Sequence, residues 1–396
     1  MNKILVSLLT AAFLLSLTAL QAQTKSQTSF SGLAAKADVA RDGNRLDEAV
    51  VLYRKALALR PSWAEGWWSL GTIQYDRNAY ADCARAFRKV VVLAPQNGTA
   101  HAMLGLCEFE LGRDTLALLH ILKGISIGLQ TDDALRNVVL YHQGILLQRK
   151  GSFQAAQETL EQLCLRGSQG DEVANVLGMT MLRLTSRNPP PPGSRDADVV
   201  LRVGQAECLA GQKKFDEARP VFDALVKEHG DYPNLHYAYG LFLFGIYDVA
   251  GGVEQMKQEI ANNPKHVLAH LRIAASLYKE DSAAGIPYAE EAVKLAPRMG
   301  FAHYLLGLLL LDINNYERAL PELEIAQKSY PREAKLYFAL GSAYSRAGRK
   351  RDAARARATF ERLTKEGAGT TGVADETGLQ GSVQEKVGRE KPAPPR

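Results

Sequence analysis

Gly124, Ile125, Ser126, Ile127 and Gly128 have the Gly-x-Ser-x-Gly spacing that serine hydrolases use to expose a nucleophile on a strand, sharp turn and helix. No Val/Ile-rich strand precedes Ser126 and no parallel-sheet pattern occurs elsewhere, so the match reads as coincidence; a hydrolase using Ser126 is a remote alternative. The eight histidines form no His-Glu-x-x-His motif, and Cys83, Cys107, Cys164 and Cys208 form no Cys-x-x-Cys pair, so no metal site is expected. Walker and dinucleotide glycine patterns are missing too, and no cofactor is implied. Each cysteine falls at a core-compatible helical place, which favours buried free thiols. Any disulfide would be looked for first between Cys83 and Cys107, on successive helices.

The elements that carry these residues follow from size and pattern. At 396 residues the chain exceeds the usual single core, which points to several domains or a repeat array. Apolar residues at 46% and charged residues at 23% are ordinary for a folded protein, and the formal charge of +5 gives no bulk attraction to nucleic acid. Lys3, an apolar run from Ile4 to Leu20 and small or polar residues through Gln23 have the layout of a secretory signal, with cleavage expected after Ala22. The mature protein is then expected in the periplasm or outside the cell, taking the source to be bacterial.

Pro61 and Pro95 stand 34 residues apart, Pro264 and Pro297 33, and Pro297 and Pro331 34, each closing a run of similar pattern. Leu-Gly pairs keep the same beat at Leu70 and Gly71, Leu104 and Gly105, Leu177 and Gly178, Leu306 and Gly307, and Leu340 and Gly341. The clearest unit runs from Gly300 to Glu333. Apolar spacing from Phe301 to Ile313 meets a turn at Asn314 and Asn315, then Tyr316, Ala319, Leu323 and Ala326 recur at helical spacing up to Pro331. This is a helix, a tight turn and a second helix. With Trp67, Leu70, Gly71, Phe87 and Pro95 in an earlier unit, the pattern resembles tetratricopeptide repeats. The likeness covers roughly Phe30 to Lys365.

The resemblance implies an all-α fold, a right-handed superhelical solenoid of antiparallel helix pairs. The expected division is a signal at 1–22, a half-array at 30–185, a proline-rich linker at 186–196, a second half-array at 197–365 and a disordered tail at 366–396. The fifth unit, opened by Leu177 and Gly178, shows no second helix of its own before Pro189 to Pro192. His101 and His303 take places where the family has an aromatic, and are expected to be packed rather than metal-binding.

In this family the first helix of each pair makes the inner wall. Its ligand-facing places fall on Trp68, Tyr75, Phe109, Tyr141, Tyr237, Phe244, Tyr278, Tyr304 and Phe338, which implies an aromatic groove for apolar peptide segments or partner helices. The partner is expected to be another protein or peptide, with no enzyme activity, no nucleic acid and at most peripheral membrane contact. Arg349 to Lys365 holds seven Lys or Arg against Asp352 and Glu361, so Arg349, Lys350 and Arg351 are candidates for an anionic partner, with a peripheral membrane adaptor as the alternative function.

Overall fold

A computed structural model describes residues 29–167 and 170–367. The expected signal at 1–22 and the tail beyond Gly367 lie outside the described residues. Helices joined by short turns make up what is described, and no strand occurs among those residues. The chain divides into two compact units between Leu146 and Leu147. The first holds α1 (29–42), α2 (Leu46–Leu59), α3 (Ala64–Asp76), α4 (Tyr80–Leu93), α5 (Gly98–Glu110), α6 (Asp114–Ile127) and most of α7 (Asp133–Lys150). The second begins with α8 (Phe153–Leu165), α9 (Asp171–Met181), α10 (Arg195–Gly211), α11 (Phe215–His229), α12 (Leu235–Gly245) and α13 (Val249–Asn262). It continues with α14 (Val267–Leu277), α15 (Ser282–Leu295), α16 (Gly300–Asp312), α17 (Tyr316–Ser329), α18 (Ala334–Arg346) and α19 (Lys350–Lys365).

The prolines end helices where the spacing places them. Pro61, Pro95, Pro264, Pro297 and Pro331 each stand two residues past the last residue of α2, α4, α13, α15 and α17. Each proline leaves a carbonyl oxygen that the next helix uses. Trp67 Nε1 donates to Pro61 O (2.9 Å), His101 Nε2 to Pro95 O (3.2 Å), His270 Nε2 to Pro264 O (3.0 Å), His303 Nε2 to Pro297 O (3.0 Å) and the Tyr337 hydroxyl to Pro331 O (3.0 Å). The place therefore wants a flat ring with a donor at its far end, and histidine serves as well as tryptophan. Such a bond fixes the angle at which the chain enters the next pair.

Within a pair, small residues set the helix separation. A Cβ on Gly307 would stand 2.6 Å from Leu323 Cδ2, inside van der Waals contact, so only glycine lets α16 and α17 approach this closely. The turn between them puts Asn314 at φ 63°, a left-handed conformation Asn tolerates, and Asn315 Oδ1 accepts the N–H of Arg318 (3.3 Å) to cap α17. Leu305, Leu309, Leu323, Leu336 and Leu340 fill the core of this part of the second unit; Tyr53, Leu57, Leu70 and Ile73 do the same in the first.

Two expectations need correction. The proline run is not a linker between half-arrays: Pro189 to Pro192 lie in the loop joining α9 to α10, and these helices cross at Gly178 and Gly204. A Cβ on Gly178 would collide with Val200 O, and one on Gly204 with Ala174 O, so the backbones touch. The fifth unit does have a second helix, α10, which also packs on α11. Val203 and Gly204 resemble a Leu-Gly pair, which makes α10 look like the opening helix of the second half-array expected at 197–365. The division into compact units falls inside α7 instead.

The cysteines are likewise paired. Cys83 on α4 bonds Cys107 on α5, with Cα atoms 6.0 Å apart, and Cys164 on α8 bonds Cys208 on α10, at 5.3 Å. No free cysteine remains. Core-compatible places on neighbouring helices are also bridging places once the helices pack, a relation that sequence spacing does not carry.

Candidate protein-binding site

In the first unit the expected wall residues are half-buried and aromatic. Trp68 on α3 stands edge-on to Phe87 (centroids 5.3 Å), and its carbonyl oxygen takes a bond from the Thr72 hydroxyl (3.3 Å). Tyr75, two turns on, meets Tyr80 edge-on (5.8 Å), and burial together with the nearby Glu110 charge pushes its hydroxyl pKa up. Phe109 on α5 and Tyr141 on α7 flank His142, whose ring lies 4.6 Å from Phe109 and 5.5 Å from Tyr141. Three successive first helices, α3, α5 and α7, thus each present an aromatic with part of its surface in water.

The second unit departs from this. Tyr237, Tyr278 and Tyr304 are only 1%, 3% and 2% exposed, so they pack between helices and do not line an open groove. Burial drives the Tyr304 hydroxyl pKa far upward, as a phenolate there would be almost unsolvated. Phe244 is half-buried with its ring over Gly252, and Phe338 stacks at a tilt on Phe360 (5.6 Å). Repeat position alone does not fix exposure; the bulk of the neighbouring pair does.

At the basic end, Arg349 is engaged on several sides. It pairs with Asp352 (2.7 Å) and Glu324 (3.0 Å) and covers the Tyr344 ring (4.5 Å). Arg355 also pairs with Asp352, and Arg362 with Glu366 (2.8 Å). Lys350 and Arg351 are exposed. Much of the local positive charge is thus answered by neighbouring carboxylates.

Ser126 lies inside the last turn of α6 and its hydroxyl donates to Lys123 O (2.8 Å), so the strand and elbow needed for a nucleophile are missing from its surroundings. The flanking glycine has a packing role: a Cβ on Gly124 would stand 2.6 Å from Gly98 O, where α6 crosses α5. No His-x-x-x-His pair was expected, yet His266, the N-cap of α14, and His270 in its first turn have that spacing; each ring is used in the fold instead of on a metal. His266 Nδ1 accepts the N–H of Ala269 (3.0 Å) and its Nε2 donates to Asn234 Oδ1 (2.9 Å). Burial lowers the His266 pKa to about 4, which keeps the ring neutral for these two bonds. Among the described residues no group of three His, Cys, Asp or Glu could hold a metal ion.

One feature that sequence reasoning missed is a recess in the second unit lined by Phe153, Gln157, Thr180, Arg183, Tyr237 and Arg272. The Arg183 guanidinium lies 4.5 Å over the Phe153 ring and 5.9 Å from the Tyr237 ring. Burial lowers its pKa, and the Arg272 charge lowers it further against the influence of Tyr237. Arg183 takes a positive φ (57°) in the turn after α9, as Lys213, Tyr247 and Lys279 do after α10, α12 and α14, whereas the turns at Asn78, Gly112, Gly151, Asn314 and Gly348 use Asn or Gly.

Family models described as TPR repeat match residues 37–78, and as tetratricopeptide repeat residues 74–125, 275–319 and 304–369. No curated protein matches. Among solved structures, MamA 41-end from Desulfovibrio magneticus RS-1 is 23% identical, over 42% of this chain and 94% of that one, with a TM-score of 0.39. YrrB, titled a TPR protein with an unusual peptide-binding site, is 17% identical over 60% of this chain and 88% of its own, with a TM-score of 0.28. A tetratricopeptide repeat protein from Parabacteroides merdae is 16% identical over 72% and 99%, with a TM-score of 0.31. The repeat models fall on paired helices whose contacts and ends the Leu-Gly and proline beat marks, so residues 37–125 and 275–369 of this chain are tetratricopeptide repeats.

Proposed function

We propose that this protein is a non-enzymatic scaffold that holds apolar peptide segments or partner helices on the first-helix wall of its first unit. The observation that carries the reading is the set of half-buried aromatics Trp68, Tyr75, Phe109 and Tyr141 on α3, α5 and α7, whose counterparts Tyr237, Tyr278 and Tyr304 are packed away. Aromatics with part of their surface in water give large contact area at little cost in side-chain entropy, as interface anchors do. The protein works outside the cytoplasm, in a bacterial periplasm or beyond it. The apolar start of the chain and the two cysteine pairs both favour an oxidising compartment.

The test compares the proteins captured from envelope extract by wild type and by the triple variant Trp68→Ala, Phe109→Ala, Tyr141→Ala. The expected result is loss of a defined set of partners, with the helical signal of the variant intact. An unchanged set of partners would remove the aromatic wall from the account.

A further inference from the structure

The second helices of the first unit, α2, α4 and α6, are each 14 residues long and begin 34 residues apart, at Leu46, Tyr80 and Asp114. Their acids, Asp47, Glu48, Asp82 and Asp114, all sit in the first turn, where the helix dipole favours negative charge. No carboxylate follows in any of the three, and Lys55, Lys89 and Lys123 recur at one repeat place, again 34 residues apart. All three lysines are exposed, and none pairs with an acid among the described residues. The arginines beside them are used otherwise: Asp82 holds Arg54 (2.9 Å) and Arg85, and Glu108 holds Arg88 (3.2 Å). Around the lysine row the surface is apolar. One turn before it stand Val51 and Leu119, one turn after it Leu59 and Leu93, with Val92 and Leu122 next to these, all exposed. In the second unit the places six residues before Pro264, Pro297 and Pro331 hold Gln258, Glu291 and Ile325, so the lysine row does not continue there.

Exposed aliphatic side chains around a row of unpaired amines suit one kind of surface best. A second copy of the same face does not fit, because lysines would meet lysines. Protein interfaces anchor on Trp, Tyr and Arg, whereas this face offers Leu, Val and Lys, types that interface cores and hot spots use little. We infer that the C-terminal halves of α2, α4 and α6 rest on an anionic lipid surface. Leucine and valine side chains reach the boundary between headgroups and acyl chains, and the three amines meet lipid phosphates. A lysine stem lies along apolar surface while its amine stays in water, which suits a lysine set among leucines to that boundary. Anionic headgroups attract each lysine near the surface, and the repeat holds three of them in register so that they act together. The aromatic wall on α3, α5 and α7 is not used, so the inference stands apart from the scaffold reading.

The test is co-sedimentation of the expected mature chain, from Gln23 onward with every described residue kept, with vesicles of phosphatidylglycerol and phosphatidylcholine or of phosphatidylcholine alone. Binding is expected to the anionic vesicles only, and it should fall as salt rises. Lys55→Gln with Lys89→Gln and Lys123→Gln should weaken it about tenfold or more, and Leu119→Ser with Leu122→Ser should weaken it as well. Lys350→Gln with Arg351→Gln on α19 should leave it unchanged. All these positions are exposed, so the variants should melt as wild type does. No binding by wild type, equal binding to neutral vesicles, undiminished binding by either first-unit variant, or loss through the α19 variant would each overturn the assignment. Release from the vesicles by hexaglutamate but not hexaglutamine, at carboxylate equal to lipid phosphate, would give the face to an acidic protein instead. The aromatic triple variant of the first unit is expected to keep vesicle binding, so failure of one reading leaves the other standing.

Discussion

Breaking the bond between Cys83 and Cys107 tests the packing of the first unit where α4 meets α5. The two residues are 24 apart in sequence, and closing a loop of that length removes chain entropy worth about 3.5 kcal/mol from the unfolded state. Both cysteines are 0% exposed, so Cys83→Ala with Cys107→Ala leaves two small buried apolar groups in their place. All three tryptophans, Trp63, Trp67 and Trp68, lie in the same unit, and Trp68 touches Phe87 on the helix that bears Cys83. Tryptophan fluorescence in urea therefore reads this unit. With a urea dependence of about 1–3 kcal/mol per molar, the midpoint should fall by roughly 1–3 M in the double variant, and by a similar amount when wild type is fully reduced. Denatured, unreduced wild type should titrate no free thiol. Coincident midpoints with and without reductant, or free thiols in the oxidised protein, would refute the pairing and with it one support for an exported protein.

Other perturbations act through single residues. Removing Cys164 and Cys208, 44 apart, should cost the second unit about 4 kcal/mol, read by circular dichroism in denaturant. Glu207 is fully buried beside Glu161, and burial raises its pKa well above the usual carboxylate range, so its charged form opposes folding as pH rises past the unfolded value near 4.5. Glu207→Gln should then stabilise the protein at pH 7 by on the order of 1 kcal/mol or more, with the gain vanishing below about pH 4, as a pH series of melts would show. His266 shows the opposite linkage. With its pKa lowered to about 4 from an unfolded value near 6.5, its contribution is complete above pH 6.5 and is lost as pH falls toward 4. The loss is at most about 3 kcal/mol and should be absent in His266→Asn, which can still cap α14. Gly307→Val pushes methyl groups into Leu323 and should cost about 1–3 kcal/mol in thermal or urea unfolding, whereas Gly348→Ala, where no neighbour stands within 4 Å but φ is 74°, should cost only about 1 kcal/mol.

Much of the fold was legible because repeat physics is local. A proline two residues past a helix, a glycine opposite a leucine and a donor ring six residues after a proline are all readable along the chain, and Pro297, Gly307 and His303 act as their spacing implies. What was not legible depends on how separate helices meet. Cys164 and Cys208 pair because α8 lies against α10, a contact with no sequence period. The four prolines suggested a boundary, yet Gly178 and Gly204 bring the helices on either side of them into backbone contact. For the candidate site, Tyr75 and Tyr141 keep part of their surface in water while Tyr278 and Tyr304, at matching places, are buried. The difference lies in the bulk of the adjacent pair, and the long apolar α16, buried from Gly300 to Leu310, shows how full that neighbourhood is. Arg183 was missed because nothing in a linear pattern places an arginine over a phenylalanine thirty residues earlier in the chain.

The scaffold account meets its most direct test in site-specific photocrosslinking from the first unit. A benzoylphenylalanine at Tyr75 or Tyr141, on the first-helix wall, should capture a protein partner in cells, and one at Val92, which is 73% exposed on the second helix α4, should not. Crosslinks at Val92 equal to those at the wall positions, or none at Tyr75 and Tyr141, would contradict recognition through the aromatic face.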